Sequence, residues 1–571
     1  MARIDFLGKG DVAGHHLSVP FYTLKADKRK SIGNPDFDGN LIIHGDNLLA
    51  LKALLPRYQG KVKCIYIDPP YNTGNEGWCY NDKVNSPMMK EWFEKNVNSE
   101  DQTRHDKWLC MMYPRLQLLK ELLSDDGVIF ISIDDNEQHR LRMIMDEIFG
   151  EENSLDRGMI IWRNAGSTKG FTKIVKNHEY ILAYGKNVSI VKSLFGKNYP
   201  NEMAQDTINE RLHIRRTPRN PTCRITVPKG TRIEAVKQVT FEGELVSGGH
   251  QIDIISPKKM IFKKGKLTQD TTLEGAFPNR RQIEQFFESL KNKNKNVDVY
   301  DSKGQKWLEV YFTQRGVPYH RKERNNRILS SIPDGLPNSG TNDIERLGLS
   351  FSNPKPVELI KVLLKYFSTD GDIILDSFAG SGTTAHAVLA LNKEDGGDRK
   401  FILVECEDKI ANRITAERVR RVIKGVPKTK DEDLKKGFDG SFTYTVLGDE
   451  IDHEKLLSGK PMPSWTALAR HVFWLATGKT LDKDPASNKN FLVGKHQNNS
   501  VYLLYDPNVK FLQSNKAALT GDVADKLGAK RKPGERIIYY AAASYVSQKD
   551  MQKSGIVFCQ LPWSITKQVR K

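Results

Sequence analysis

Three continuous apolar runs of strand length, Leu41 to Ile43, Cys64 to Ile67 and Val128 to Ile133, punctuate the first part of the chain. None alternates with polar residues, the pattern of strands buried on both faces of a parallel sheet. Between them, apolar residues at helical spacing predict helices over Asn47 to Leu55 and Lys107 to Leu123. The same pattern returns later. Val357 to Phe367 reads as a helix, Ile373 to Leu375 and Phe401 to Val404 as strands, and Thr383 to Leu391 as a short helix between them. Both halves fit a doubly wound α/β sheet.

The stretch between the halves has a different texture. It carries short β-like pieces at Arg224 to Val227, Val236 to Phe241, Ile252 to Ile255 and Met260 to Phe262, then a lysine-asparagine run at Lys291 to Asn296. This is the pattern of an inserted module. Beyond Lys424 a charged stretch, KTKDEDLKKG, reads as a linker to a final module. The expected division is an N-terminal arm at 1–40, α/β halves at 41–200 and 341–425, the insert at 201–340, and a C-terminal domain at 426–571. A length of 571 residues accommodates them, at roughly 150 residues per domain.

No apolar run approaches the roughly 18 residues of a membrane span, which excludes a helical membrane protein. The first twenty residues lack an apolar segment behind a basic start, so the expected compartment is the cytoplasm. Six cysteines lie far apart without CxxC or zinc-ligand spacing, which supports neither a disulfide scaffold nor a zinc site. The net charge of +18 favours a polyanionic partner. Its distribution is uneven: residues 201–330 hold 25 Lys and Arg against 15 Asp and Glu, so the insert is the expected polyanion-binding part.

Two loops carry chemistry. Ile67-Asp68-Pro69-Pro70-Tyr71-Asn72-Thr73-Gly74 leaves the end of a buried strand, and its prolines fix the backbone while removing two N–H donors. The carboxylate of Asp68 and the carbonyl of Pro69 can each accept one N–H of an exocyclic amine, with Tyr71 stacked on the ring that bears it. Asp-Pro and Pro-Pro are also ordinary turn punctuation. The second loop, Asp376-Ser377-Phe378-Ala379-Gly380-Ser381-Gly382-Thr383-Thr384, joins a strand to a helix. Its glycines allow close approach to the backbone, and no Gly-Lys-Ser/Thr follows, so a triphosphate is not required. Glu405, twenty-three residues after Gly382, ends the next strand where a carboxylate can accept both hydroxyls of a ribose. An adenosine-type cofactor fits this loop, although such a turn can also serve helix packing.

The pairing of IDPPYNTG with a later DSFAGSGTT resembles the S-adenosylmethionine-dependent amino-methyltransferases of DNA, in the permuted order with the catalytic motif first. The stretches IHGDNLLALKALLP, YNDKVNSP, RHDKWLCMMYPRL, GVIFISIDDNEQHRLRMIMDEIFG and NHEYILAYGK look like the modification subunit of type III restriction-modification systems. The resemblance implies a Rossmann-like, circularly permuted methyltransferase fold with the insert as target-recognition domain. It implies that Asp68, Pro69, Pro70 and Tyr71 hold a flipped adenine, with Phe378, Gly380 and Gly382 shaping the cofactor pocket. Asp376 would lie near the methionine end, Glu405 on the ribose and Asp46 near the cofactor's adenine. Lys355, within Asn353-Pro354-Lys355-Pro356, would belong to the methionine part of that pocket. Such subunits bind double-stranded DNA, act as dimers and can associate with a separate restriction subunit carrying helicase and nuclease activities.

Two other readings stay open on sequence: methylation of the exocyclic amine of cytosine, and a DNA-recognition subunit without activity. Arg211, Arg215, Arg216, Arg219 and Arg224 are candidate DNA contacts of the insert, each equally consistent with a solvated charged surface. His178 can neighbour the base pocket or serve as a structural histidine. Gly478-Lys479-Thr480 lacks the first glycine and the preceding strand of a nucleotide-binding loop, and reads as a helix C-cap. Trp465 to Leu475 has the stripe of a core helix.

Overall fold

A computed structural model describes residues 3–73, 103–164, 175–191, 207–214, 221–234, 236–245, 254–291, 298–300, 306–323, 329, 331–333, 335–451, 462–485 and 491–561. The chain forms two compact units, 1–193 with 329–571, and 194–328.

The first unit is built on a nine-stranded sheet. In chain order its strands are β1 (Tyr22–Ala26), β2 (Leu41–His44), β3 (Val62–Ile67), β4 (Leu123–Ile133), β5 (Ser154–Arg163), β6 (His178–Gly185), β7 (Ile373–Asp376), β8 (Lys400–Glu405) and β9 (Thr443–Glu450). Their spatial order is β1-β9-β2-β8-β7-β3-β4-β6-β5. The run from β9 to β4 is parallel, while β1, β5 and β6 join antiparallel.

Helices cover both faces, which is why the central strands read as unbroken apolar runs. Successive strand residues point to opposite sides. Ile43, Ile65 and Ile129 pack with α1 (Asn47–Tyr58), α2 (Arg104–Leu122) and α3 (Gln138–Phe149). Ile42, Cys64 and Val128 pack with α4 (Val357–Phe367), α5 (Thr383–Asp395) and α6 (Ala416–Lys424). The expected doubly wound α/β sheet is present, with its predicted central strands and helices in place.

Two features differ from the expected division: strands that join the sheet from outside its expected halves, and the place of residues 329–340. β1 comes from the N-terminal arm, and β9, from the segment assigned to the C-terminal domain, inserts between β1 and β2. Residues 329–340 belong with the first unit, where Ser331 accepts from the Ile161 amide at 2.7 Å and Pro337 accepts from the Trp162 indole at 3.0 Å. β5 and β6, which carry a polar N-terminal half in β6, extend the sheet beyond β4. Further along, α7 (Trp465–Thr477) packs on a four-stranded sheet formed by Leu492–His496, Asn499–Leu503, Arg536–Ala541 and Ile556–Gln560. Gly478 caps α7 with φ 66°, as a helix C-cap requires. Among the described residues, no helix is long and apolar enough to cross a membrane.

The second unit is a nine-stranded, largely antiparallel sheet. The two pieces expected at 252–255 and 260–262 fall in one strand, Ile254–Lys263, with 252 and 253 outside the described residues. A helix, Arg280–Lys291, contributes Ile283, Phe286 and Phe287 to its core. Arg211 donates to the Tyr319 hydroxyl at 3.0 Å, and exposed Arg224 pairs with Glu274 at 2.5 Å. Arg215, Arg216 and Arg219 lie outside the described residues.

Candidate active site

The two motif loops leave neighbouring strands. Cys64 and Ile65 of β3 lie in parallel register with Ile374 and Leu375 of β7, so Asp68 and Asp376 reach the same edge of the sheet. From there the chain crosses from β3 toward β4 and from β7 toward β8, in opposite directions along the sheet. That divergence opens a crevice at a topological switch point, where open α/β sheets bind ligands.

On the β3 side the loop is pinned from below. Trp108 of α2, fully buried, donates its indole N–H to the carbonyl of Pro70 at 2.7 Å. Asn72 adopts the left-handed conformation with φ 59° and donates to Glu137 Oε1 at 2.5 Å and to the Arg104 carbonyl at 3.2 Å. His105 Nδ1 meets the same Glu137 oxygen. Burial pushes the Glu137 carboxyl up to about 7. These bonds fix the exit of the loop, and the side chains of Asp68 and Tyr71 meet one another and Lys355.

Above them lies a charged cluster. The ammonium of Lys355 is 2.9 Å from Asp68 Oδ2 and 3.1 Å from Glu179 Oε2, and donates to the Tyr71 hydroxyl at 2.9 Å. The same ammonium lies 5.0 Å from the Tyr71 ring centroid and 5.8 Å from that of Trp162. The single Tyr71 hydroxyl proton can go to Asp68 Oδ1 at 2.8 Å or to Glu179 Oε2 at 3.0 Å. Burial raises the Asp68 carboxyl above the usual carboxylate range, with Lys355 acting against that rise. For Lys355, burial opposes the charge, but Asp68 and Glu179 together outweigh it and hold the ammonium above its ordinary value.

On the β7 side, the glycine turn is closed by its own side chains. Asp376 accepts from the Phe378 amide at 3.0 Å and from the Thr384 hydroxyl at 2.5 Å, and burial raises its carboxyl to about 7. Gly380 (φ 47°) donates its N–H to Glu405 Oε2 at 2.8 Å, while Gly382 (φ 77°) opens α5. Glu405 Oε1 accepts from the Glu407 amide at 2.9 Å. Asp46 stands one step from this turn, because Gly45 donates to the Glu405 carbonyl at 3.0 Å. The Asp46 carboxylate caps α1 through the Leu48 and Leu49 amides, and the next residue, Asn47, donates to the Ser377 carbonyl at 3.0 Å.

The family model described as DNA methylase matches residues 62–417, from β3 into α6. The chain belongs to this DNA methylase family. It is 30% identical over 454 residues to the Mod subunit of the type III restriction-modification enzyme EcoPI from Escherichia phage P1, covering 73% of this chain and 67% of that one. It is 31% identical over 445 residues to the EcoP15I Mod subunit of Escherichia coli, covering 69% and 64%. Over 444 residues it is 30% identical to the StyLTI Mod subunit of Salmonella typhimurium, covering 73% and 60%. The chain thus spans about two thirds of the length of these relatives.

The methylase sheet gathers the expected residues into two adjoining groups. Asp68, Tyr71 and Lys355 touch one another, with Pro69 buried between the strand and the loop. Asp376, Phe378, Gly380, Gly382 and Glu405 line the glycine turn, with Asp46 beside it. Lys355 joins the two groups, since its carbonyl accepts from the Thr383 hydroxyl at 3.2 Å while its ammonium reaches Asp68. His178 bonds the Tyr180 hydroxyl at 3.1 Å. Glu179, the next residue, is the member of the cluster that sequence reasoning missed. Its signal was a carboxylate at the start of β6, which runs antiparallel to β4 and so begins at the catalytic edge.

The turn fits the cofactor expected there. A carboxylate offers about four acceptor sites, and the backbone amides of Gly380, Cys406 and Glu407 engage Glu405, so capacity remains for a ribose hydroxyl. A Cβ on Gly380 would meet Phe351 Cζ at 3.4 Å, an ordinary contact, so it is the left-handed backbone that calls for glycine there. Two acidic side chains at its edge suit a cationic sulfonium nucleoside and disfavour a polyphosphate.

Proposed function

We propose that this protein is a site-specific DNA methyltransferase that moves a methyl group from S-adenosylmethionine to N6 of adenine, as the modification subunit of a type III system. The observation that carries the reading is the adjacency of β3 and β7, which sets the amine-accepting loop of Asp68 and Tyr71 beside the turn of Gly380 and Glu405.

Glu405 and Asp46 hold the nucleoside part of the cofactor, and Asp376 its methionine part, with Gly380 and Gly382 granting close approach. S-adenosylmethionine supplies an electrophilic methyl group on sulfur. The protein's contribution is placement. Asp68 and the Pro69 carbonyl accept the two N–H groups of the target amine, which aims the nitrogen lone pair along the line of attack. Tyr71 stacks on the base. Asp68 needs no great basicity, because methylation makes the nitrogen acidic before its proton leaves.

A base inside a duplex cannot reach this crevice. It must be flipped out at a cost of a few kcal/mol, offset in part by stacking on Tyr71 of about 1–3 kcal/mol. The basic second unit, with Arg211 and Arg224 at its surface, serves DNA recognition. A homodimer, a separate restriction subunit as partner and a cytoplasmic location complete the proposal.

Nucleoside mass analysis of duplex DNA incubated with the protein and labelled S-adenosylmethionine tests it. N6-methyladenine is the expected product. N4-methylcytosine would overturn the base assignment, and unlabelled DNA that is nevertheless bound would favour a recognition subunit without activity.

A further inference from the structure

Three acceptors surround the Lys355 ammonium, and two of them, Asp68 and Tyr71, belong to the loop assigned to the target amine. The third is Glu179, at 3.1 Å. Its second oxygen, Oε1, accepts from the Asn164 side-chain Nδ2 at 3.0 Å, which fixes the direction of the carboxylate. Glu179 therefore faces the same point in space as Asp68, and a nitrogen cation occupies that point.

The charge of the subsite is informative. A neutral aromatic amine needs acceptors for two N–H groups but no counter-charge. The same amine becomes cationic as it attacks an electrophilic methyl group. Its lone pair forms the new N–C bond, the electron pair of the broken S–C bond stays on sulfur as a neutral thioether, and the nitrogen is positive until a proton leaves. A pocket that binds the cationic state better than the neutral one accelerates the step. Two carboxylates and a hydroxyl around one ammonium have that preference built in.

We propose that Glu179 is a catalytic residue, which with Asp68 forms a two-carboxylate subsite for the positive charge that develops on the amine nitrogen. The Lys355 ammonium fills the subsite before the base arrives, and the target nitrogen takes its place. After transfer, the methylated nitrogen gives one proton to Asp68 or Glu179, from which it passes to water. This inference rests on the methyl-transfer reading above.

The test compares wild type with Glu179→Gln, which keeps size and an acceptor oxygen but removes the charge. Base capture is read by the fluorescence of 2-aminopurine at the target position, and transfer by single turnover at saturating DNA and cofactor. The expected result is capture within about twofold of wild type and a transfer rate about 100-fold lower. Glu179→Asp, which restores the charge, should recover part of the rate with the same thermal midpoint. A Glu179→Gln rate within about threefold of wild type would overturn the proposal. Parallel loss of capture and rate in both variants would also overturn it, because that is the signature of a packing role. A wild-type protein that leaves adenine unmethylated would instead overturn the parent reading.

Discussion

The ammonium of Lys355 lies 2.9 Å from the carboxylate of Asp68, although the two residues come from opposite halves of the chain. Their pairing exists because β7, in the half that carries Lys355, is inserted beside β3. It also ties the ionisation of Asp68, the proposed amine acceptor, to Lys355.

The first prediction concerns pH. Burial raises the Asp68 carboxyl and Lys355 restrains that rise, so Lys355→Met should raise it further. Asp68 accepts the amine best when ionised, and protonation as pH falls removes that function. In the enzyme before the base binds, where Lys355 sits beside Asp68, the acidic limb of the kcat/KM profile should therefore move to higher pH in Lys355→Met, whatever the change in its height. A limb that stays in place or moves to lower pH contradicts the linkage.

Tyr71 separates stacking from hydrogen bonding. Tyr71→Ala should weaken base capture by about 1–3 kcal/mol, roughly 5- to 150-fold, and reduce turnover with it. Tyr71→Phe keeps the ring and loses the hydroxyl that bridges Asp68, Glu179 and Lys355, so it should preserve capture and slow transfer about tenfold. Fluorescence of 2-aminopurine beside a single-turnover rate distinguishes the two. Equal loss of capture in both variants would rule out a stacking role.

Asp376 should make cofactor binding depend on pH near neutrality. Burial raises its carboxyl to about 7, so the group is mostly protonated at pH 6 and mostly ionised at pH 8. An ionised carboxylate attracts the cationic methionine end of the cofactor. Affinity measured by calorimetry should rise across this interval in wild type and stay flat in Asp376→Asn. A wild-type affinity independent of pH would contradict the placement.

Asn72 should matter for stability through its backbone as well as its bonds. Its left-handed conformation costs an ordinary side chain about 1–2 kcal/mol, and its buried hydrogen bonds add about 1–3 kcal/mol. Asn72→Ala should lose both contributions and Asn72→Gly only the second. Denaturant titrations that rank the glycine variant below the alanine variant would contradict this account.

Much of the fold is legible in the sequence because the central strands are buried on both faces. Leu41 to Ile43, Cys64 to Ile67 and Phe401 to Val404 have no solvent side, so their composition alone marks them. The site's two loops follow such strands directly and inherit that clarity. The edges do not share it. β1 is only partly buried and β9 is buried at its N-terminal end alone, which leaves both without an apolar signature. β6 starts with the partly exposed His178, Glu179 and Tyr180, and its antiparallel entry into the sheet, which brings Glu179 to the catalytic edge, has no local cue. Lys355 shows a further limit. Its position before α4 is readable, but the direction of its long side chain toward Asp68 follows only from the packing of the two halves.

The most direct test of the account is long-read modification sequencing of duplex DNA incubated with the protein and S-adenosylmethionine, beside the Tyr71→Ala variant. The expected result is methylated adenine at one short sequence motif, with the mark strongly reduced in the variant. Methylated cytosine at the motif, or no mark on DNA that the protein binds, would contradict it.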